Sequence, residues 1–141
     1  MTEITITQDT LGAIALFERI TRTTVVDCID SEDKIVFIVR QGEVKTAVGK
    51  DGDNVLRLFK RFNKNIQIVE FSHDPAEFVR NVFYGYKVQK VEIEQRNNII
   101  HATVTVDPKE KAKAIGKAGK NLRLMRNIIN RHHNIQSVSV A

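Results

Sequence analysis

Tryptophan is absent from this 141-residue chain, tyrosine and proline occur twice each, and there is one cysteine. A single cysteine excludes an intramolecular disulfide. Cys28, inside the β-branched run "TVVDCID", reads as a small buried thiol. The four histidines, His73, His101, His132 and His133, have no cysteine or carboxylate at metal-ligand spacing. No metal site and no cofactor are expected. Adjacent His132 and His133, at the end of a predicted helix, suit the negative end of its dipole. No apolar run approaches the roughly 20 residues that span a bilayer. The first ten residues, "MTEITITQDT", lack the basic-then-apolar pattern of a secretion signal. A cytoplasmic protein without membrane contact is expected.

Charge of one sign is scarce only in places. Net charge is +5 and the sequence pI about 9.5, which favours polyanionic partners. Residues 1–73 hold 10 Lys+Arg against 11 Asp+Glu, whereas residues 74–141 hold 12 against 6. The excess therefore lies wholly in the second half, mostly between Lys109 and Arg131. A solvated helix face can cluster charge in the same way, so the imbalance alone does not establish nucleic-acid binding.

Glycine is not abundant either, but four of the seven form two like-spaced pairs. "AVGKDGDNV" covers 47–55 and "AIGKAGKNLRL" covers 114–124. Superimposing Gly49/Gly52 on Gly116/Gly119 brings Asn54 onto Asn121, Val55 onto Leu122, Leu58 onto Met125 and Phe62 onto Ile129. "NIQIV" (65–69) then answers "NIQSV" (134–138) if two extra residues are allowed.

The elements around the pairs repeat too. Ala13, Leu16, Phe17 and Ile20 recur at helical spacing. "TTVVDCI" and "KIVFIVR", separated by "DSED", read as strands. "EVKTAV" and "NVLRLFKRF" flank the glycines as helices, and "IQIVEF" closes as a strand. In the second half, Asp74, Pro75 and Glu77 make a helix start with a capping box. "YKVQKVEIE" and "IIHATVTV" are strands, and "DPKE" at 107–110 repeats the start signal. A helix pair around the glycines and the strand "IQSVSV" complete it. The expected class is α+β, two αββααβ domains at 1–73 and 74–141, each with a three-stranded sheet on helices. The near absence of a linker at Ser72–His73 predicts two rigidly joined units.

A glycine pair lets the backbone turn sharply and approach a ligand. The helix resuming after it offers unpaired N–H groups and a positive dipole end, which favour a phosphate. This is the arrangement of the KH module, whose GXXG loop clamps about four nucleotides of backbone; the element order is that of its type II form. A Walker loop is excluded, because Gly49-Lys50 precedes Asp51 and Gly116-Lys117 precedes Ala118. No GxGxxG follows a strand, as dinucleotide binding requires. The bland alternative, a tight helix-helix turn, fits the first loop better than the second. Asp51 and Asp53 already satisfy a helix start there and repel phosphate. Ala47, Val48, Val55, Ala114, Ile115 and Leu122 are candidate groove walls. So few aromatic rings argue against an RRM or an OB-fold, which rely on stacking.

"IQIVEFSHDPAEFVRNVF" (66–83) and "AIGKAGKNLRL" resemble the junction and second module of the tandem KH region in the NusA family of transcription factors. The resemblance covers nearly the whole chain and is similar to the short archaeal form. The polymerase-binding and OB-fold domains that precede the KH pair in bacterial NusA do not fit within these 141 residues, so direct action on RNA polymerase is not expected from the resemblance alone. The resemblance implies sequence-selective binding of single-stranded RNA, the nascent transcript; a monomer is expected, and no catalytic constellation of residues is evident. The resemblance also implies a role in elongation, termination or antitermination, and RNA polymerase remains a second candidate partner. The contact positions it carries over are Gly116, Lys117, Ala118, Gly119, Lys120, Asn121 and Arg123, then Gly49, Lys50, Gly52 and Asn54. A ribosomal or ribosome-assembly KH protein and a polymerase adaptor remain alternatives.

Overall fold

The computed structural model describes residues 8–141, with the side chains of Gln8 and Asp9 left aside. These residues form two compact units, one ending at Ser72 and the other beginning at His73. No described helix is long and apolar enough to cross a membrane.

The first unit runs α1 (Gln8–Thr21), β1 (Val25–Asp30), β2 (Lys34–Val39), α2 (Val44–Val48), α3 (Asp53–Phe62) and β3 (Asn65–Glu70). Its sheet has the order β1-β2-β3; β2 is antiparallel to β1 and parallel to β3. The parallel pair follows from the chain path, because strands joined through two helices return in the same direction. The helical face of the sheet buries Phe17, Cys28, Ile35, Phe37, Val39, Ala47 and Leu58. Phe17 stacks on Phe37 at 4.1 Å between ring centroids. Burying rings of this size contributes about 2–3 kcal/mol each. Phe17→Ala would therefore open a ring-sized void in this core. Polar ends are tied off: Thr21 Oγ1 donates to the Phe17 carbonyl, and the Glu18 and Glu43 carboxylates accept from the Val25 and Thr24 amides. Lys34, at the head of β2, donates to Gln67 at 2.6 Å. Burial lowers its pKa, against the opposing charge of Asp33.

The second unit repeats the plan with α4 (Pro75–Val82), β4 (Val88–Arg96), β5 (Ile99–Val106), α5 (Lys111–Ile115), α6 (Lys120–His132) and β6 (Ser137–Val140). Sheet order and strand directions match the first unit. Asp74 caps α4 by accepting from the Glu77 amide at 3.1 Å, with Pro75 in the first turn. β4 and β5 turn through Asn97 and Asn98, both at positive φ (48° and 70°), as a two-residue hairpin of right-handed twist requires. Phe78, Val82, Ala102, Val104, Ala114, Met125, Ile128 and Ile129 are buried. The rings of His132 and His133 pack on Phe78.

Two local readings change. Pro108 does not start a helix. The Lys109 amide donates to the Asp107 carboxylate and the Glu110 amide to the Asp107 carbonyl, so 107–110 is a turn and α5 starts at Lys111. The second change is the register of the last strand. Ile35 and Phe37 pair with Ile66 and Ile68, while their counterparts Ala102 and Val104 pair with Val138 and Val140. The "NIQ" at 134–136 therefore lies before β6 rather than in it. The cause is a longer helix: α6 has 13 residues against 10 in α3. α3 stops at Asn63 in the left-handed conformation (φ 52°), whereas His133 leaves α6 extended and the Asn130 amide donates to the Ile135 carbonyl.

The outer sheet faces also differ. Val36 and Ile38 are buried; their counterparts Thr103 and Thr105 are half-buried. Beside them the His101 ring lies between the Ser137 and Ser139 hydroxyls, at 2.8 and 3.0 Å.

Candidate nucleic-acid interface

Each glycine loop joins a five-residue helix to a long one through a 3-10 turn, Lys50–Gly52 or Lys117–Gly119. The two backbones agree within a few degrees. Gly49 has φ 82°, ψ 169°, and Gly116 has φ 78°, ψ 169°. Gly52 and Gly119 are left-handed at φ 75° and 73° and stand immediately before α3 and α6. Gly49 and Gly116 close the preceding helices by donating to the Lys45 and Ala112 carbonyls at 3.0 and 2.9 Å.

The two glycines of a pair answer different demands. A Cβ at Gly49 would meet the Asn54 amide nitrogen at 2.9 Å, and one at Gly116 would meet the Asn121 Cβ at 2.8 Å and amide nitrogen at 2.9 Å. Close packing as well as positive φ therefore fixes the first glycine. At Gly52 a Cβ would meet nothing within 4 Å, and at Gly119 only an Arg123 guanidinium nitrogen at 3.4 Å. The second glycine is needed for its φ and leaves open space before the helix start.

Asn54 and Asn121 hold the two helices of each loop together. Asn54 Nδ2 donates to the Thr46 carbonyl at 3.1 Å, and Asn121 Nδ2 donates to the Ala114 carbonyl at 2.7 Å and the Tyr86 hydroxyl at 3.1 Å. Burial pushes the Tyr86 phenol above its ordinary pKa; the Asn121 bond lowers it and Glu110 raises it further. Both asparagines thus act from behind the loop, a role that their spacing did not reveal.

The middle residue separates the copies. Asp51 (φ 55°) and Ala118 (φ 56°) are both left-handed. Asp visits that region more readily because its short polar side chain bonds locally, whereas for alanine the conformation costs about 1–2 kcal/mol. At Ala118 the structure supplies a brace, Arg123 Nη1 donating to the Ala118 carbonyl at 2.7 Å. The counterpart of Arg123 is Leu56, which has no such donor. Lys50, Asp51 and Asp53 are exposed in the first loop, and Lys117, Ala118 and Lys120 in the second. The first turn of α3 contains Asp53; that of α6 contains no carboxylate. The positive end of α6 is therefore not neutralised by its own sequence.

Beside each loop lies an open groove, and the two differ in chemistry. Val48, Gly52, Val55, Leu56, Phe59, Asn65 and Ile66 line the first. Leu56 and Phe59 are 53% and 43% exposed, which is far from core. Arg123, Arg126, Asn127, Asn130 and Gln136 line a pocket on α6. Of the expected walls, Val48 and Val55 are in the first groove, while Ala47 and Ala114 are fully buried. Ile115 and Leu122 are half-buried. Leu56, Phe59, Arg126 and Asn127 are groove residues that the motif alone does not mark; their signal is one helix face, four, seven and eight positions beyond the second glycine. No group of three or more His, Cys, Asp or Glu among the described residues could hold a metal.

Residues 75–141 match the family described as the NusA-like second KH domain. A Thermoplasma acidophilum protein is 37% identical over 140 residues, 99% of this chain and 97% of that protein. One from Methanocaldococcus jannaschii is 31% identical over 99% of this chain and 76% of its own length. Both carry the name "Probable transcription termination protein NusA". This chain belongs to the NusA family. A solved structure described as "Crystal structure of APE1850" is 32% identical, with a TM-score of 0.75, and covers 96% of this chain and all of that one. The αββααβ units are accordingly tandem KH domains, and the NusA-like match falls on the unit whose loop carries no carboxylate.

Proposed function

We propose that this protein binds single-stranded RNA, the nascent transcript, and acts in transcription termination or antitermination without catalysing a reaction. Two KH domains, 1–73 and 74–141, work in tandem in the cytoplasm. Gly116, Lys117, Ala118, Gly119 and Lys120 make the principal backbone clamp, braced by Arg123 and held from behind by Asn121. Gly49, Lys50, Gly52 and Asn54 extend the footprint.

The observation that carries this reading is the exposed turn at Lys117–Ala118, opening a 13-residue helix whose first turn holds no carboxylate. A phosphate oxygen placed there meets N–H groups of the helix start and the positive end of its dipole. Lys117 adds charge from the side without covering the backbone. In the first loop, Asp51 and Asp53 offset much of that attraction, so its share of backbone affinity is smaller. The name shared by the archaeal relatives supports a place in transcript termination.

A salt titration of RNA binding tests the reading. Affinity for an unstructured RNA strand should fall steeply with salt, the log-log slope growing by about 0.7 for each phosphate neutralised. RNA crosslinked to the protein in cells should be nascent transcript. Salt-insensitive association with RNA polymerase without RNA binding, or crosslinks confined to ribosomal RNA, would overturn it.

A further inference from the structure

The counterparts of Leu56 and Phe59 are Arg123 and Arg126, so one helix face is apolar in the first KH domain and guanidinium-bearing in the second. Arg123 is already engaged with the Ala118 carbonyl. Arg126, one helical step further from the loop, is exposed, as is its neighbour Asn127. Among the described residues neither has a hydrogen-bond or ion-pair partner. Asn130 and Gln136, which line the same pocket, are partly committed: Asn130 donates to the Ile135 carbonyl, and Gln136 accepts from the Ile100 amide.

We infer that Arg126 reads a nucleobase edge carrying two adjacent acceptors, cytosine or guanine, in the strand held by the second loop. The inference rests on the RNA-binding reading above. A guanidinium is a rigid fork of donors with no acceptor. On an unpaired strand the Watson–Crick and Hoogsteen edges are both accessible. Cytosine offers O2 beside N3 and guanine O6 beside N7, and either pair receives two parallel N–H bonds. Adenine places an amino donor next to N1 and to N7. Uracil places an N–H between its two carbonyls. Neither of these bases presents the fork with two neighbouring acceptors.

The amides beside Arg126 favour a base over a phosphate. A phosphate offers acceptors alone and would use only the donors of these amides, whereas a base edge can engage the Asn127 carbonyl oxygen as well. Cytosine carries its N4 amino group beside N3, and guanine its N1–H beside O6, each placing a donor next to the acceptors that the fork takes. Arg126 also lies about 4.5 Å along the helix axis from Arg123, clear of the residue that braces the phosphate loop. In the first KH domain Phe59 has no donor to offer, and the equivalent selection is absent.

The experiment measures binding of the full chain to an adenine/uracil-only RNA strand and to strands with one cytosine or one guanine at successive positions. A bidentate contact discriminates by about 1–3 kcal/mol, so one substituted strand should bind roughly 5- to 150-fold tighter, and which one identifies the base. Arg126→Lys keeps the charge and loses the fork; it should abolish that preference while affinity for the adenine/uracil strand changes less than twofold. Replacing the preferred base by its 3-deazacytosine or 7-deazaguanine analogue should remove the preference without altering the protein. Equal binding of all strands by the natural protein would overturn the inference while leaving RNA binding intact. An equal loss on every strand for Arg126→Lys would make Arg126 a phosphate contact and overturn it too. No binding to any strand would instead refute the RNA-binding reading on which it depends.

Discussion

The two glycine loops have nearly the same backbone and very different surfaces. Their φ angles agree within a few degrees at Gly49 and Gly116, at Asp51 and Ala118, and at Gly52 and Gly119. Yet one loop displays two carboxylates beside an apolar groove, and the other displays lysines beside arginines and amides. The shared geometry comes from the residues that match, the glycines and the asparagine behind them. The two copies differ instead in the middle of the loop and on the outer face of the following helix, where the proposed RNA contacts lie.

The shared part can be broken first. Gly116→Ala drives a Cβ to 2.8 Å from Asn121 and strains the backbone; overpacking and positive φ together cost about 2–4 kcal/mol. Gly119→Ala meets nothing closer than 3.4 Å and should cost only the strain, about 1–2 kcal/mol. Denaturant melts of the two variants check the order, and equal losses would show that packing behind the loop is unimportant.

Smaller effects sharpen the difference between copies. Asn121 donates two hydrogen bonds and Asn54 one, so Asn121→Ala should cost about 2 kcal/mol and Asn54→Ala about 1 kcal/mol, read from the same melts. Arg123→Leu copies the first domain's residue into the second. It removes the brace on Ala118, with a loss of about 1 kcal/mol, and amide exchange at 117–120 should accelerate. Leu56→Arg in the first domain should leave stability within about 0.5 kcal/mol, as for an exposed site.

Much of this architecture could be read from residue order alone. The glycine spacing, the apolar stripe through Phe17 and Ile20, and alternation in "HATVTV" each fix an element because burial imposes a period on sequence. The register of β6 could not. Asn134, Ile135 and Gln136 repeat the letters of Asn65, Ile66 and Gln67, but helix length decides where a strand begins, and α6 outlasts α3. Pro108 was equally ambiguous, since Asp-Pro opens turns as readily as helices until a hydrogen-bond partner is known. The groove residues were hidden for a different reason. An exposed Arg126 or Phe59 on an amphipathic helix looks like ordinary surface until the loop beside it is placed in space. Asn54 and Asn121 carry a second role that residue order does not reveal: their side-chain amides tie together the two helices that flank each loop.

Reciprocal loop substitution tests the division of labour most directly. Lys117→Asp with Ala118→Asp gives the second loop the first one's acidity, and Asp51→Ser with Asp53→Lys does the opposite to the first. Affinity for an unstructured RNA strand, measured at one moderate salt concentration for both double variants, should fall at least about tenfold for the former, on the order of 1.4 kcal/mol, and rise severalfold for the latter. Unchanged binding after the first substitution, or weaker binding after the second, would contradict the claim that the C-terminal loop holds the RNA backbone.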